Sequence, residues 1–164
     1  MPTRPEPSAI IGWGSINPLG ADPDSTWKSF RQGLSGIRSL TDHWAVDLPA
    51  QIAGRVPPAA LDQLSPLTRR RSDRCAQLAL LAARQAWQMA VSQTAGIDPS
   101  RIAVVLGTGI GGLSTMHEQH LQLTQGGPER VNPLTVPMLI PDAPAGQVAI
   151  DLGLQGGAHT PVSA

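Results

Sequence analysis

A single cysteine, Cys75, means that no internal disulfide can form and no thiolate cluster can hold a metal ion. Such usage fits a reducing compartment and makes the cytoplasm the expected location. Tyrosine is absent and phenylalanine occurs once, beside four tryptophans. The core must therefore be filled by Ala, Leu, Ile and Val, and stacking platforms for single-stranded nucleic acid are not expected. Net charge is missing too: 12 basic residues balance 12 acidic ones, so no global field draws the chain to nucleic acid or to an anionic membrane. Long apolar runs are also lacking. The start, Met1 to Pro7, carries one arginine and three prolines and leads only into Ala9 to Ile11, far short of a signal-peptide core or a membrane span. Glycine and proline, by contrast, are plentiful, at 17 and 16 of 164 residues, and hydrophobic residues make up 41%. That composition describes one turn-rich globular domain.

Ser8 to Gly12 is an apolar run ending in glycine and is expected as a short strand, followed by a turn-prone stretch from Gly14 to Gly20. Asp22 or Asp24 then caps a helix through Gln32, with Trp27 and Phe30 on one face and Gly33 as its stop. Leu34 to Pro66 shows no sustained period and reads as loops with one strand at Gln51 to Val56. From Ser72 to Gln93 a long helix is expected, because Cys75, Ala79, Ala82, Ala86 and Ala90 fall on one stripe. A stripe of such small residues lets another backbone approach closely. Ile102 to Leu106 has the look of a buried parallel strand, and Leu113 to Gln125 of a helix that Gly126 to Pro128 breaks. Pro133, Pro137 and Pro141 cut the next segment into single turns, and Asp142 with Pro144 starts a helix ending near Gly153. His159 to Ala164 is extended. Three strands joined by long helical crossovers indicate an α/β fold with a parallel sheet.

Gly107-Thr108-Gly109-Ile110-Gly111-Gly112 fits the dinucleotide-binding pattern between a strand and a helix. No strand ending in an acidic residue follows some 20 positions on, as that pattern requires, and no lysine follows to make a phosphate cradle. The glycines then serve a sharp turn against packed neighbours. Arg69, Arg70, Arg71 and Arg74 form the one basic cluster, placed by this reading at the start of the long helix, where it opposes the helix dipole. Either an anionic partner or screening by Asp73 and water accounts for it. His117, Glu118 and His120 lack zinc-enzyme spacing and a third ligand, so they read as a solvated face and no metal is expected. Cys75, among alanines, reads as a buried and inert thiol. Spacing alone assembles no catalytic constellation.

Ala9-Ile10-Ile11-Gly12-Trp13-Gly14, Asn17-Pro18-Leu19-Gly20, Trp27 and Gly33-Leu34-Ser35-Gly36-Ile37 resemble the amino-terminal signature of the β-ketoacyl-[acyl carrier protein] synthases. Arg70-Arg71-Ser72-Asp73, the run Gly107 to Gly112, Gly126-Gly127-Pro128, Val136-Pro137-Met138 and Ala145-Gly146-Gln147 continue that resemblance in order, nearest to the type II elongating enzymes. It implies a thiolase-like α/β fold. Residues 1–164 would be an incomplete amino-terminal domain: three parallel strands with helical crossovers, part of the first half of a five-layer αβαβα architecture. Ser8 to Gly12 would be its central strand, and His159 to Ser163 the edge that pairs across a homodimer.

The implied reaction is decarboxylative condensation of an acyl thioester with a malonyl thioester on acyl carrier protein, without a cofactor. Thr160-Pro161-Val162-Ser163-Ala164 resembles the lead-in to the nucleophilic cysteine, expected as the residue after Ala164. These residues would then hold no catalytic group and be inactive alone. By the same resemblance Ile110, Leu134, Val136 and Met138 line the acyl pocket, while Arg70, Arg71 and Arg130 dock the acidic carrier protein. Glu129 stands where the pattern often has a base and Asp142 where it often has asparagine, the latter still able to cap a helix. A non-catalytic synthase-like subunit of the chain-length-factor kind is the alternative.

Overall fold

In the computed structural model, which describes residues 7–163, the first helix begins where Asp22 turns the chain. Asp22 accepts from the Ser25 amide at 2.7 Å, Ser25 Oγ accepts from the Asp22 amide, and Pro23 occupies the first position of α1, Pro23–Arg31. Gly33 at φ +65° closes it, as the sequence indicates. Strand β1, Ile37–Ser39, pairs antiparallel with β2, Ile52–Gly54. β2 falls within the strand read from the sequence; β1 is additional.

Helix α2, Pro66–Arg71, precedes the long helix α3, Arg74–Thr94. Strand β3 is Val104–Val105, α4 is Leu113–Gly126, α5 is Thr135–Leu139, α6 is Ala143–Leu152 and β4 is Ala158–His159. β3 and β4 run parallel, with Val104 opposite Ala158. Their ladder continues beyond the named strands, since Thr108 N donates to the Pro161 carbonyl and Ser163 N to the Thr108 carbonyl. Leu64, Leu80, Leu81, Val104, Ala145 and Val148 form the core, sandwiched between α3, α6 and β3. Arg84 clamps Asp151 through two bonds of 2.8 and 2.6 Å and ties α3 to α6. Among the described residues no helix is long and apolar enough to cross a membrane.

The structure departs from the sequence reading in three further places. Ser8 to Gly12 joins no β-ladder among the described residues. Gly12 and Gly14 instead lie against α3, where a Cβ would fall 2.3 Å from the Ala86 carbonyl oxygen and 1.9 Å from that of Ala82. The small stripe does receive a backbone, and that backbone is this segment. The basic residues Arg69, Arg70 and Arg71 are not at the start of the long helix but in the last turn of α2, where the dipole favours them. Ser72, in extended geometry, separates the two helices and leaves only Arg74 at the start of α3. Asp142 occupies the N-cap position of α6 but makes no capping bond with its side chain.

Accessible surface totals 11543 Å² for this 17.2 kDa chain, against about 7,800 Å² for a compact monomer of that mass. Large apolar side chains share in that excess: Val105 is 70% exposed and Ile150 83%.

Candidate functional site

The corner between α2 and α3 gathers polar side chains from three elements, α2, α3 and α4. Ser65 caps α2 by accepting from Thr68 N at 3.0 Å. Gln77, a buried residue of α3, turns back and donates to the carbonyls of Arg69 and Ser72 at 3.0 and 2.8 Å, satisfying the end of α2. Asp73 accepts from Cys75 N at 2.9 Å and from the amide and hydroxyl of Thr115 at 2.8 and 2.7 Å. Burial alone would raise the Asp73 pKa, but these bonds outweigh it and hold the carboxyl below its ordinary value.

A cavity of about 360 Å³ opens over this corner, lined among others by Arg69, Arg70, Arg74, Asp73, Glu118 and Met138. Arg69 pairs with Asp62 at 3.0 Å and Arg74 donates to the Val56 carbonyl. Among the described residues Arg70 and Arg71 are exposed and form no ion pair. Arg130 follows the break after α4, in the turn Pro128–Arg130, and its side-chain carbons pack over Gly126.

The glycine-rich turn ends against α5. Gly112 N donates to the Leu139 carbonyl at 3.0 Å, and a Cβ on Gly111, at φ +98°, would lie 2.8 Å from the same oxygen. Glycine is required there by close packing. The acceptor facing the first turn of α4 is the Asp73 carboxylate, which leaves that helix end unsuited to a pyrophosphate. Of the expected acyl-lining residues, Met138 borders the arginine-lined cavity, whereas Ile110 and Val136 are 59% and 63% exposed and Leu134 is exposed at the start of α5. Ile110 lies in the turn that packs on α5, the helix that carries Val136 and Met138 and that Leu134 precedes.

Cys75 is half-buried, and burial together with the adjacent Asp73 carboxylate pushes its thiol up to about 11. That makes it a poor nucleophile at neutral pH. His117, Glu118 and His120 are exposed on α4, and no three metal-ligating side chains cluster among the described residues. Gln77, Gln85 and Thr115 carry much of the local geometry and went unread in the sequence. Their partners lie up to 70 positions away, beyond the reach of a local signal.

The architecture is that of the thiolase-like condensing enzymes. A structure described as the ishigamide ketosynthase/chain length factor superposes with a TM-score of 0.77 at 26% identity, over 94% of this chain and 43% of that one. A beta-ketoacyl synthase from Burkholderia phymatum STM815 gives 0.73 at 22% identity, over 94% and 38%. The family profile "Beta-ketoacyl synthase, N-terminal domain" matches residues 6–164, and the chain belongs to that family. The curated relative 3-oxoacyl-[acyl-carrier-protein] synthase 2 of Staphylococcus aureus (strain N315) is 39% identical over 148 residues. That alignment covers 90% of this chain and 36% of the relative, so the chain spans little more than a third of the length of the curated relatives it matches.

Proposed function

We propose that the chain serves as the amino-terminal part of a β-ketoacyl-[acyl carrier protein] synthase that condenses an acyl thioester with a malonyl thioester in fatty acid or related chain synthesis. In that reaction a cysteine thiolate takes the acyl group and releases the carrier thiol. Malonyl decarboxylation then yields the carbanion that attacks the acyl-enzyme, forming the carbon–carbon bond and freeing the thiolate. The observation that carries this reading is the 39% identity with the S. aureus synthase across 148 residues.

Cys75 is not that nucleophile, because its thiol is pushed up to about 11 and faces a carboxylate. The resemblance of Thr160 to Ala164 to the lead-in of the family's nucleophile is what assigns the chemistry, in this reading, to a cysteine after Ala164, which itself lies outside the described residues. These 164 residues alone are inactive in this reading. Their contribution is recognition: Arg70, Arg71 and Arg130 meet an acidic carrier protein, while Ile110, Leu134, Val136 and Met138 face the acyl chain. The His159–Ser163 segment forms the homodimer edge. The cytoplasm, where carrier-bound thioesters are made, is the site of action.

Titrating the chain with acyl carrier protein tests the docking role. Binding should weaken with rising salt, and Arg70→Glu with Arg71→Glu should lower affinity about tenfold or more. Binding that ignores both salt and the two substitutions would refute it. The second reading, a non-catalytic subunit of the chain-length-factor kind, draws on the 26% identity to the ishigamide ketosynthase/chain length factor. A cysteine encoded directly after Ala164 favours the synthase, and any other residue there favours the subunit.

A further inference from the structure

Gly112 cannot cap the helix it begins. It stands at the N-cap position of α4 without a side chain, and a Cβ there would lie 2.4 Å from the Met138 carbonyl oxygen and 2.7 Å from Leu139 Cα. The first-turn amides of α4 therefore need an acceptor from elsewhere. Asp73 provides it from 42 positions away. Its Oδ2 accepts from the amide and the hydroxyl of Thr115, while Oδ1 accepts from Cys75 N in the first turn of its own helix, α3. One carboxylate caps two helices, with the positive ends of both dipoles converging on it. Asp73 and Thr115 are each 4% exposed, so water has little access to these bonds.

The two elements joined this way bear different residues of interest. Arg70 and Arg71 lie three and two positions before Asp73, on an α2 terminus that Gln77 fixes through the Arg69 and Ser72 carbonyls. Ile110 lies two positions before Gly112, in the turn that the Leu139 carbonyl pins. We propose that Asp73 is a positioning residue that sets the arginine-bearing end of α2 and the glycine turn of α4 in one fixed relation. The carrier-docking surface and the segment holding Ile110 are then oriented together. This rests on the docking role given above to Arg70 and Arg71.

The test uses the chain with Asp73→Ser, Thr115→Val and Arg70→Ala, singly and in pairs with Arg70→Ala. Serine still caps α3 but is too short to reach Thr115, and valine keeps the shape of threonine without its hydroxyl. Native-state hydrogen exchange should show the Thr115 amide exchanging about tenfold faster in Asp73→Ser, with the Cys75 amide little changed. In titrations with acyl carrier protein, Arg70→Ala should weaken binding in the unaltered chain. Its effect should shrink about threefold or more in the Asp73→Ser background, and less in Thr115→Val. If Asp73→Ser does not fold, the milder Thr115→Val carries the same cycle. Additive effects, or exchange that rises evenly through α3 and α6, would overturn the proposal and leave the docking role standing. A flat response to Arg70→Ala alone would remove the docking role itself, and the coupling with it.

Discussion

Gly14→Ala should destabilise the chain and Gly146→Ala should stabilise it, although each change adds one methyl group. A Cβ on Gly14 would sit 1.9 Å from the Ala82 carbonyl oxygen, 2.8 Å from its carbon and 3.0 Å from Gln85 Cβ. The obstacle is helix backbone, which cannot rotate aside, so the segment around Gly14 must lift from α3. Lifting strains two bonds that hold it there, Ser15 N to Gln85 Oε1 at 2.9 Å and Gln85 Nε2 to the Ala21 carbonyl at 2.7 Å. Overpacking of this kind costs about 1–3 kcal/mol, and partial loss of two hydrogen bonds adds about 1 kcal/mol, giving about 2–4 kcal/mol in all. Gly14 does not have positive φ, so the loss measures contact and not backbone strain. Gly146, inside α6, would meet nothing within 4 Å. There alanine gains about 0.5–1 kcal/mol of helix propensity. Urea titration followed by tryptophan fluorescence, at low protein concentration, reads both changes. With a slope of about 1–3 kcal/mol per molar urea, Gly14→Ala should lower the midpoint by about 1 M or more and Gly146→Ala raise it by a few tenths. An unchanged or higher midpoint for Gly14→Ala would mean that the glycine segment does not rest on α3.

With its thiol pushed up to about 11, Cys75 should react with iodoacetamide at pH 8 about a hundredfold more slowly than a free thiol of pKa 9; an ordinary rate would refute the burial and Asp73 contact assigned to it. Asp73 is held below the ordinary aspartate value, so its stabilisation is present above that value and is lost as pH falls through the lowered folded value. The other charged groups lining the cavity beside it are Arg69, Arg70, Arg74 and Glu118. Acid unfolding should therefore be less steep in Asp73→Ser than in the unaltered chain, as circular dichroism between about pH 5 and 2 would show. The excess accessible surface and exposed residues such as Val105 and Ile150 predict self-association, so sedimentation should reveal it and the thermal midpoint should move with protein concentration. A sharp, concentration-independent transition would contradict this.

What the sequence made legible was what local chemistry decides. Asp22 before α1, Gly33 after it, Pro144 in the first turn of α6 and Gly153 in left-handed geometry at its end are signals contained within a turn of the residue they affect. The alanine stripe of α3 announced a close backbone approach, but which backbone came near depends on residues some 70 positions away, and no periodicity reports that. Ser8 to Gly12 shows the same limit from the other side. Its apolar run promised a strand, yet a strand needs a partner, and its glycines found a helix first. The α2–α3 break was hidden because neither proline nor glycine marks it. Ser72 breaks the helix where the Gln77 side chain can satisfy two freed main-chain carbonyls, an arrangement that is not a property of the Arg69–Arg71 string.

The glycine turn before α4 carries this distinction into function. Its G-x-G-x-x-G spacing is shared with dinucleotide sites because both need a backbone able to turn sharply from a strand into a helix. Spacing alone cannot say whether the helix end then meets a phosphate or a neighbour. Here the answer lies in the acceptor: the Thr115 amide is taken by Asp73 Oδ2 at 2.8 Å, and the Gly112 amide by the Leu139 carbonyl at 3.0 Å. With a resident carboxylate on the same helix end, a second anion would meet repulsion where a phosphate site offers free donors. Gly111 and Gly112 are thus explained by what packs against them, the end of α5 and the turn that follows it. A search for phosphate sites among similar turns should first ask which group already accepts from the helix's first amides.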